Sequence, residues 1–161
     1  MPDVAVVTDT THYLPPALVA EHGVHEVSLY VNDGDRHERE ADIADLDAFY
    51  EKLRTAASLP TTSQPSIGDF LAVYEPLVRD GRDVVSLHIS GGISGTVEAA
   101  RQAAAEVAQG ASQARIEVID SRLACGALGL AVLATAAAAR AGDDLEAVAA
   151  RAREASAATR L

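Results

Sequence analysis

A chain of 161 residues, 48% hydrophobic and 23% charged, has the core-forming content of one globular domain. Its 13 Lys plus Arg against 24 Asp plus Glu leave a formal charge of -11, which argues against the basic footprint that a nucleic-acid partner demands. Cys125 is the single cysteine, so neither an intrachain disulfide nor a cysteine zinc cage can form, and a reducing compartment is expected.

In chain order, Met1-Pro2-Asp3 places no basic stretch before the first apolar run, so no secretory signal is read and a cytoplasmic location is expected. Val4-Ala5-Val6-Val7 is a continuous apolar run ended by Thr8-Asp9-Thr10-Thr11; Val27 to Val31, Val84 to Ile89 and Arg115 to Ile119 resemble it. Runs apolar on both faces suit a parallel sheet covered by helices. Between them, Ile43, Leu46, Phe49/Tyr50 and Leu53 recur at helical spacing after Asp42, and Ile67, Phe70, Leu71, Tyr74 and Leu77/Val78 do so after Ser66. Ser66 with Asp69, and Asp143 with Glu146, have capping-box spacing and mark two helix starts. The uncharged span between Arg122 and Arg140 is short for a bilayer crossing, which takes about 20 residues, and reads as a buried Ala-rich helix over 123–139. A last helix runs from Leu145 to about Ala158 and meets Thr159-Arg160-Leu161 with no glycine cap, as in a chain cut short. The alternation predicts an α/β fold: a parallel sheet of about four strands with helices on both faces.

Ligands of open parallel sheets sit beyond the carboxyl ends of the strands. That rule places "TDTT" (8–11), "SGGISGT" (90–96) and "DSRLACG" (120–126) along one rim, joined by "PTTSQPS" (60–66) before the helix capped by Ser66. The rim is rich in hydroxyls and poor in cations. A P-loop requires glycines followed by Lys, and the single lysine, Lys52, lies far from any glycine loop. Neither Ser90 nor Ser94 sits in the G-x-S-x-G elbow of a hydrolase, and His88, on the strand face of Ser90, has no acid marked to orient it. Asp9 lacks the second acid of a D-x-D-x-T phosphatase motif, no His, Asp and Glu cluster has metal-ligand spacing, and His12 is a weak candidate for phosphorylation on the rim. A row of neutral donors over an apolar interior remains, which suits a carboxylate held by hydroxyls and N–H groups at about 1.5–3 kcal/mol per charge-assisted bond. Its apolar tail is expected to lie against the small residues of the helix over 123–139.

Together and in order, these motifs resemble the DegV family of bacterial fatty-acid-binding proteins. "VVTDTTHYLP" is similar to the family's V-T-D-S-T-x-x-L-P, "PTTSQPS" to its T-S-Q-P, "HISGGISGT" to its I-S-x-x-L-S-G-T, and "IDSRLACGALGL" to its D-S-x-x-x-S-x-G-x-G. The resemblance runs from Val4 to Leu161 and covers the family's N-terminal half, so residues 1–161 are expected to form one lipid-binding domain without the family's C-terminal domain.

The resemblance implies a protein that binds one long-chain fatty acid and presents it to an ATP-dependent fatty acid kinase, with no chemistry, cofactor or metal of its own and no stable membrane insertion. It maps carboxylate contacts onto Thr62 and Ser90, with Ser63, Gly91, Gly92 and Ser94 beside them, and the pocket rim onto Asp9, Thr10, Thr96, Ser121 and Cys125. Gly91 stands where many members carry a second serine, and Cys125 replaces a serine. Without a closing domain the pocket would expose apolar surface, which favours self-association. The rival reading is a hydrolase or acyl-transfer enzyme with Ser90 as nucleophile.

Overall fold

The computed structural model describes residues 3–110 and 113–159. Strand β1 (Val4–Asp9) runs through a 3-10 turn (Thr10–His12) into α1 (Pro16–His22), then β2 (His25–Val27). Strands β3 (Tyr30–Asp33) and β4 (Arg36–Arg39) form a hairpin, followed by a 3-10 turn (Glu40–Asp42), α2 (Leu46–Thr55) and β5 (Thr61–Ser63). Helix α3 (Ile67–Arg79), β6 (Asp83–His88), α4 (Thr96–Val107), β7 (Ile116–Asp120), α5 (Cys125–Arg140) and α6 (Leu145–Ala158) complete the order.

The expected parallel sheet forms in the order β2-β1-β6-β7. Alternation along its strands feeds two cores. Val4, Val6, Val85, Leu87 and Ile119 face Leu128, Val132 and Val148 of α5 and α6, whereas Ala5, Val7 and Val84 face Phe70, Tyr74 and Ala100 of α3 and α4. Both faces are therefore covered, which is why these strands read as unbroken apolar runs.

A second, antiparallel sheet in the order β4-β3-β5 was not legible in the sequence. The run from Val27 to Val31 is two strands in two sheets rather than one. Ser28 turns the chain between them: its hydroxyl donates to Leu29 O at 2.8 Å and accepts from Ala41 N at 3.0 Å, while Leu29 N donates to Thr10 Oγ1 at 3.2 Å. Side chains thus satisfy backbone groups that a continuous ladder would use. "PTTSQPS", expected as a loop, supplies β5, whose Thr62 pairs with Val31.

Helix starts follow their caps. The Ser66–Asp69 capping box is present, with Asp69 N donating to Ser66 Oγ at 3.1 Å and Ser66 N donating to Asp69 Oδ2 at 2.8 Å. Tyr30 OH also donates to the Asp69 carboxylate at 3.0 Å, tying β3 to this helix start. Ser66→Ala is expected to cost about 0.5–2 kcal/mol in denaturant unfolding, with an unchanged slope. The last helix starts one residue later than its expected box. Asp144 Oδ1 accepts from Ala147 N at 2.9 Å, because Asp143 N is drawn back to Ala138 O and closes the end of α5 instead. Likewise α2 starts at Leu46, capped by Asp45, so Ile43 of the expected helical spacing lies outside it, and it buries none of its side chains.

The small residues of α5 serve close packing. Ala131 and Ala136 are buried in the core, and a Cβ at Gly129 would lie 3.0 Å from His12 O. The space expected for an apolar tail along this helix is therefore taken up at these positions by the sheet and the turn after β1. Among the described residues no helix is long and apolar enough to cross a membrane.

Candidate functional site

Three of the motif segments meet at the carboxyl ends of the parallel strands, where hydrogen bonds join them, and the PTTSQPS segment packs against them. Ile89 N donates to Asp9 Oδ2 at 2.9 Å, linking the first motif to the loop after β6. Within that loop Ser90 N donates to Leu123 O at 2.8 Å and Gly91 N to Asp120 Oδ1 at 3.1 Å, which binds it to the turn after β7. The fourth segment closes from the other side, where the Gln64 amide lies against Gly95 in the space that a side chain at residue 95 would occupy.

Some of the expected contacts are committed inside the protein. Asp9, buried beneath the rim, accepts at Oδ1 from Thr11 N and Thr11 Oγ1. Thr10 donates to Glu40, and buried Ser121 donates to His88 O at 2.6 Å. Ser94 and buried Thr96 bond each other at 2.8 Å, and Gly92 N donates to Ser90 Oγ at 3.2 Å. Other groups retain a donor. Thr62 is exposed and its hydroxyl has no hydrogen bond among the described residues, while the Ser90 and Ser63 oxygens only accept, the latter from Asn32 Nδ2 at 3.4 Å. Cys125 is an exposed thiol at the first position of α5.

The backbone is strained at the same rim. Among the described residues, the non-glycine residues with positive φ are Tyr13 (48°), Arg122 (57°) and Cys125 (53°), each in a motif-bearing turn. Such conformations persist where surrounding bonds over-determine them and tend to cluster at ligand sites. Tyr13 OH donates to Glu40 Oε1 at 2.7 Å; burial, and then the Glu40 carboxylate, push the phenol pKa up, so it remains a protonated donor to Glu40. A groove of about 880 Å³ borders the β7 turn, with Val118, Leu123 and Ala157 beside Arg101, Arg122 and Arg153.

Beneath the donor loop runs a buried polar chain that sequence reasoning missed. His88 Nδ1 lies 3.0 Å from Asp9 Oδ2, His88 Nε2 lies 2.6 Å from Ser86 Oγ, and Ser86 Oγ lies 2.7 Å from Tyr74 OH. With the imidazole proton on Nδ1, every proton has an acceptor: Tyr74 donates to Ser86, Ser86 to Nε2, and Nδ1–H to Asp9. Burial alone would raise the Asp9 pKa, but the bond from His88, with those from Thr11 and the Ile89 N–H, outweighs it and holds the carboxyl below its ordinary value. Burial likewise pushes the Tyr74 pKa up.

An acid therefore does orient His88, but the imidazole serves Ser86 and not Ser90. Ser86 is fully buried, so the acid–imidazole–hydroxyl order gives no substrate access to a nucleophile. His12 is also buried, with Nδ1 accepting from Leu14 N and Nε2 facing Glu26, which leaves no ring nitrogen exposed on the rim. Asp9 and His88 meet through strand register. β1 and β6 pair in parallel with Val7 opposite Ser86, so the same register two residues on brings Asp9 opposite His88.

A two-faced parallel sheet with a hydroxyl-lined rim and a small antiparallel sheet seated against it defines a distinct α/β fold, and comparisons with known proteins assign its family. The sequence profile described as "Uncharacterised protein, DegV family" matches residues 3–161, and the chain belongs to that family. A DegV domain-containing protein of Clostridium perfringens is 37% identical over 145 residues, which are 90% of this chain and 51% of that protein. The structure described as fatty acid binding of a DegV family protein from Thermus thermophilus superposes with a TM-score of 0.85 at 37% identity, covering 96% of this chain and 54% of that one. That of DegV, a fatty acid binding protein from Bacillus subtilis, gives 0.86 at 35% identity, covering 96% and 54%. The chain spans about half the length of the curated relatives it matches.

Proposed function

We propose that this chain binds a long-chain fatty acid by its carboxylate and presents the carboxyl group to an ATP-dependent fatty acid kinase, itself performing no chemistry. The observation that carries the reading is the pair of uncommitted hydroxyls, Thr62 on β5 and Ser90 in the loop after β6, on segments that Gln64 and Gly95 bring into contact. Thr62 and Ser63 leave their strand on opposite faces, so only one can share a ligand with Ser90, and the family pattern selects Thr62. Gly91, Gly92 and Ser94 hold the loop's shape, since their own polar groups bond within it or to Asp120. The relatives from Thermus thermophilus and Bacillus subtilis, described as fatty-acid-binding, support the ligand class.

An apolar tail adds to this. Burying a dozen methylenes gains on the order of 10 kcal/mol before ordering costs, enough to outweigh the weak repulsion of an acidic surface. The β7 groove, where Val118, Leu123 and Ala157 lie beside three arginines, reaches Asp120, whose carboxylate accepts the Gly91 N–H of the donor loop. Denaturing the purified chain and analysing it by mass spectrometry is expected to release an unmodified long-chain acid and to leave Ser90 unlabelled by a fluorophosphonate probe. A covalent adduct on Ser90 would support the nucleophile instead.

A further inference from the structure

Asp9 does not face the rim, yet it touches the donor loop at its first peptide. One carboxylate oxygen, Oδ2, accepts both the Ile89 N–H at 2.9 Å and His88 Nδ1–H at 3.0 Å; the other takes two bonds from Thr11. The peptide that follows is that of Ser90, whose N–H is fixed on Leu123 O at 2.8 Å. His88 is held in turn at its far nitrogen by Ser86, and its ring makes a T-shaped contact with Phe70, centroids 5.1 Å apart. The loop that carries Ser90 is therefore pinned at one end by a fully buried carboxylate that has no freedom of its own.

We propose that Asp9 is a positioning residue for carboxylate recognition, setting the Ser90 hydroxyl through the Ile89 N–H, with His88 as the brace that keeps Asp9 in place. The inference rests on the carboxylate-binding reading above. A donor displaced by about 1 Å loses most of a charge-assisted bond, so a buried group that fixes the donor's backbone acts on affinity without touching ligand. Asn at position 9 keeps the size but presents an NH2 toward one of two donor sets, Ile89 with His88 or Thr11, and one anchor must give way.

The test is calorimetric titration of a long-chain fatty acid and of its methyl ester into the parent chain, Asp9→Asn and Ser90→Ala. Asp9→Asn is expected to weaken the acid about tenfold while leaving the ester within about twofold, because only the charged ligand depends on the hydroxyl's aim. Equal loss for acid and ester would mean a merely structural role and overturn the proposal. An acid affinity unchanged in Asp9→Asn but lowered in Ser90→Ala would also overturn it while sparing the carboxylate site, whereas no change in Ser90→Ala would remove the site itself. Should Asp9→Asn fail to fold, His88→Asn, whose amide replaces the Nδ1 donor, is expected to retain acid binding and His88→Leu to lose it; indistinguishable acid affinities in that pair would refute the brace.

Discussion

Replacing Asp9 by alanine is expected to destabilise the fold by about 3–5 kcal/mol at pH 7, the scale for removing one partner of a buried, hydrogen-bonded charge. The substitution strips acceptors from Thr11 N, Thr11 Oγ1, His88 Nδ1 and Ile89 N at once, in a place where water cannot replace them. The pH dependence has a definite sign. The folded-state pKa of Asp9 lies below the ordinary 3.8, so its contribution is fully present above about that pH and is lost as pH falls through the lower folded value. Unfolding curves of parent and Asp9→Ala should therefore lie farthest apart at neutral pH and converge under acid. A gap that stayed constant down to the acid transition would show that the carboxylate is not what the bonds recognise.

Phe70→Ala is expected to cost about as much, 3–5 kcal/mol, lowering Tm by about 10 °C. Phe70 is completely buried between α3 and the sheet, in contact with the rings of Tyr74 and His88, and its removal leaves a cavity that rigid neighbours cannot fill. Leu46 is of comparable hydrophobicity but is 45% exposed on α2, and Leu46→Ala should change stability by no more than about 0.5 kcal/mol. Guanidinium unfolding of both variants checks the contrast, and equal effects would contradict the placement of the core.

Much of this architecture could be read from the residues because strands covered on both faces betray themselves. Val4 to Val7, Val84 to Ile89 and the segment before Asp120 needed only their apolar runs, and three of the four motifs fell on one rim because parallel strands all end there, the other reaching it from β5 of the antiparallel sheet. The second sheet was hidden for a physical reason. Its strands are two-sided, short and polar, as in Arg36–Arg39 and Thr61–Ser63, and exist through pairing with Tyr30–Asp33 rather than through a pattern of their own. The break at Ser28 was equally hidden, since it depends on hydroxyl bonds to Leu29 and Ala41 that join separate segments. In the site, Thr62 and Ser90 were visible as hydroxyls in patterned loops, but which hydroxyls remained free was not. Thr10 and Ser121 have the same chemistry as Ser90, and only the fold shows Glu40 and His88 O taking their protons. Asp9 and His88 lie 79 residues apart and meet only because β1 and β6 pair in one register.

The claim that Thr62 and Ser90 share one carboxylate is tested most directly by calorimetric titration of a long-chain acid and its methyl ester against the parent, Thr62→Val, Ser90→Ala and the double variant. Each single substitution should weaken the acid by about 1.5–3 kcal/mol and the ester much less, since only the charged acceptor loses a charge-assisted bond. The double variant should fall short of the sum because both hydroxyls serve one ligand group. Unchanged acid affinity in both single variants would contradict carboxylate recognition by this rim.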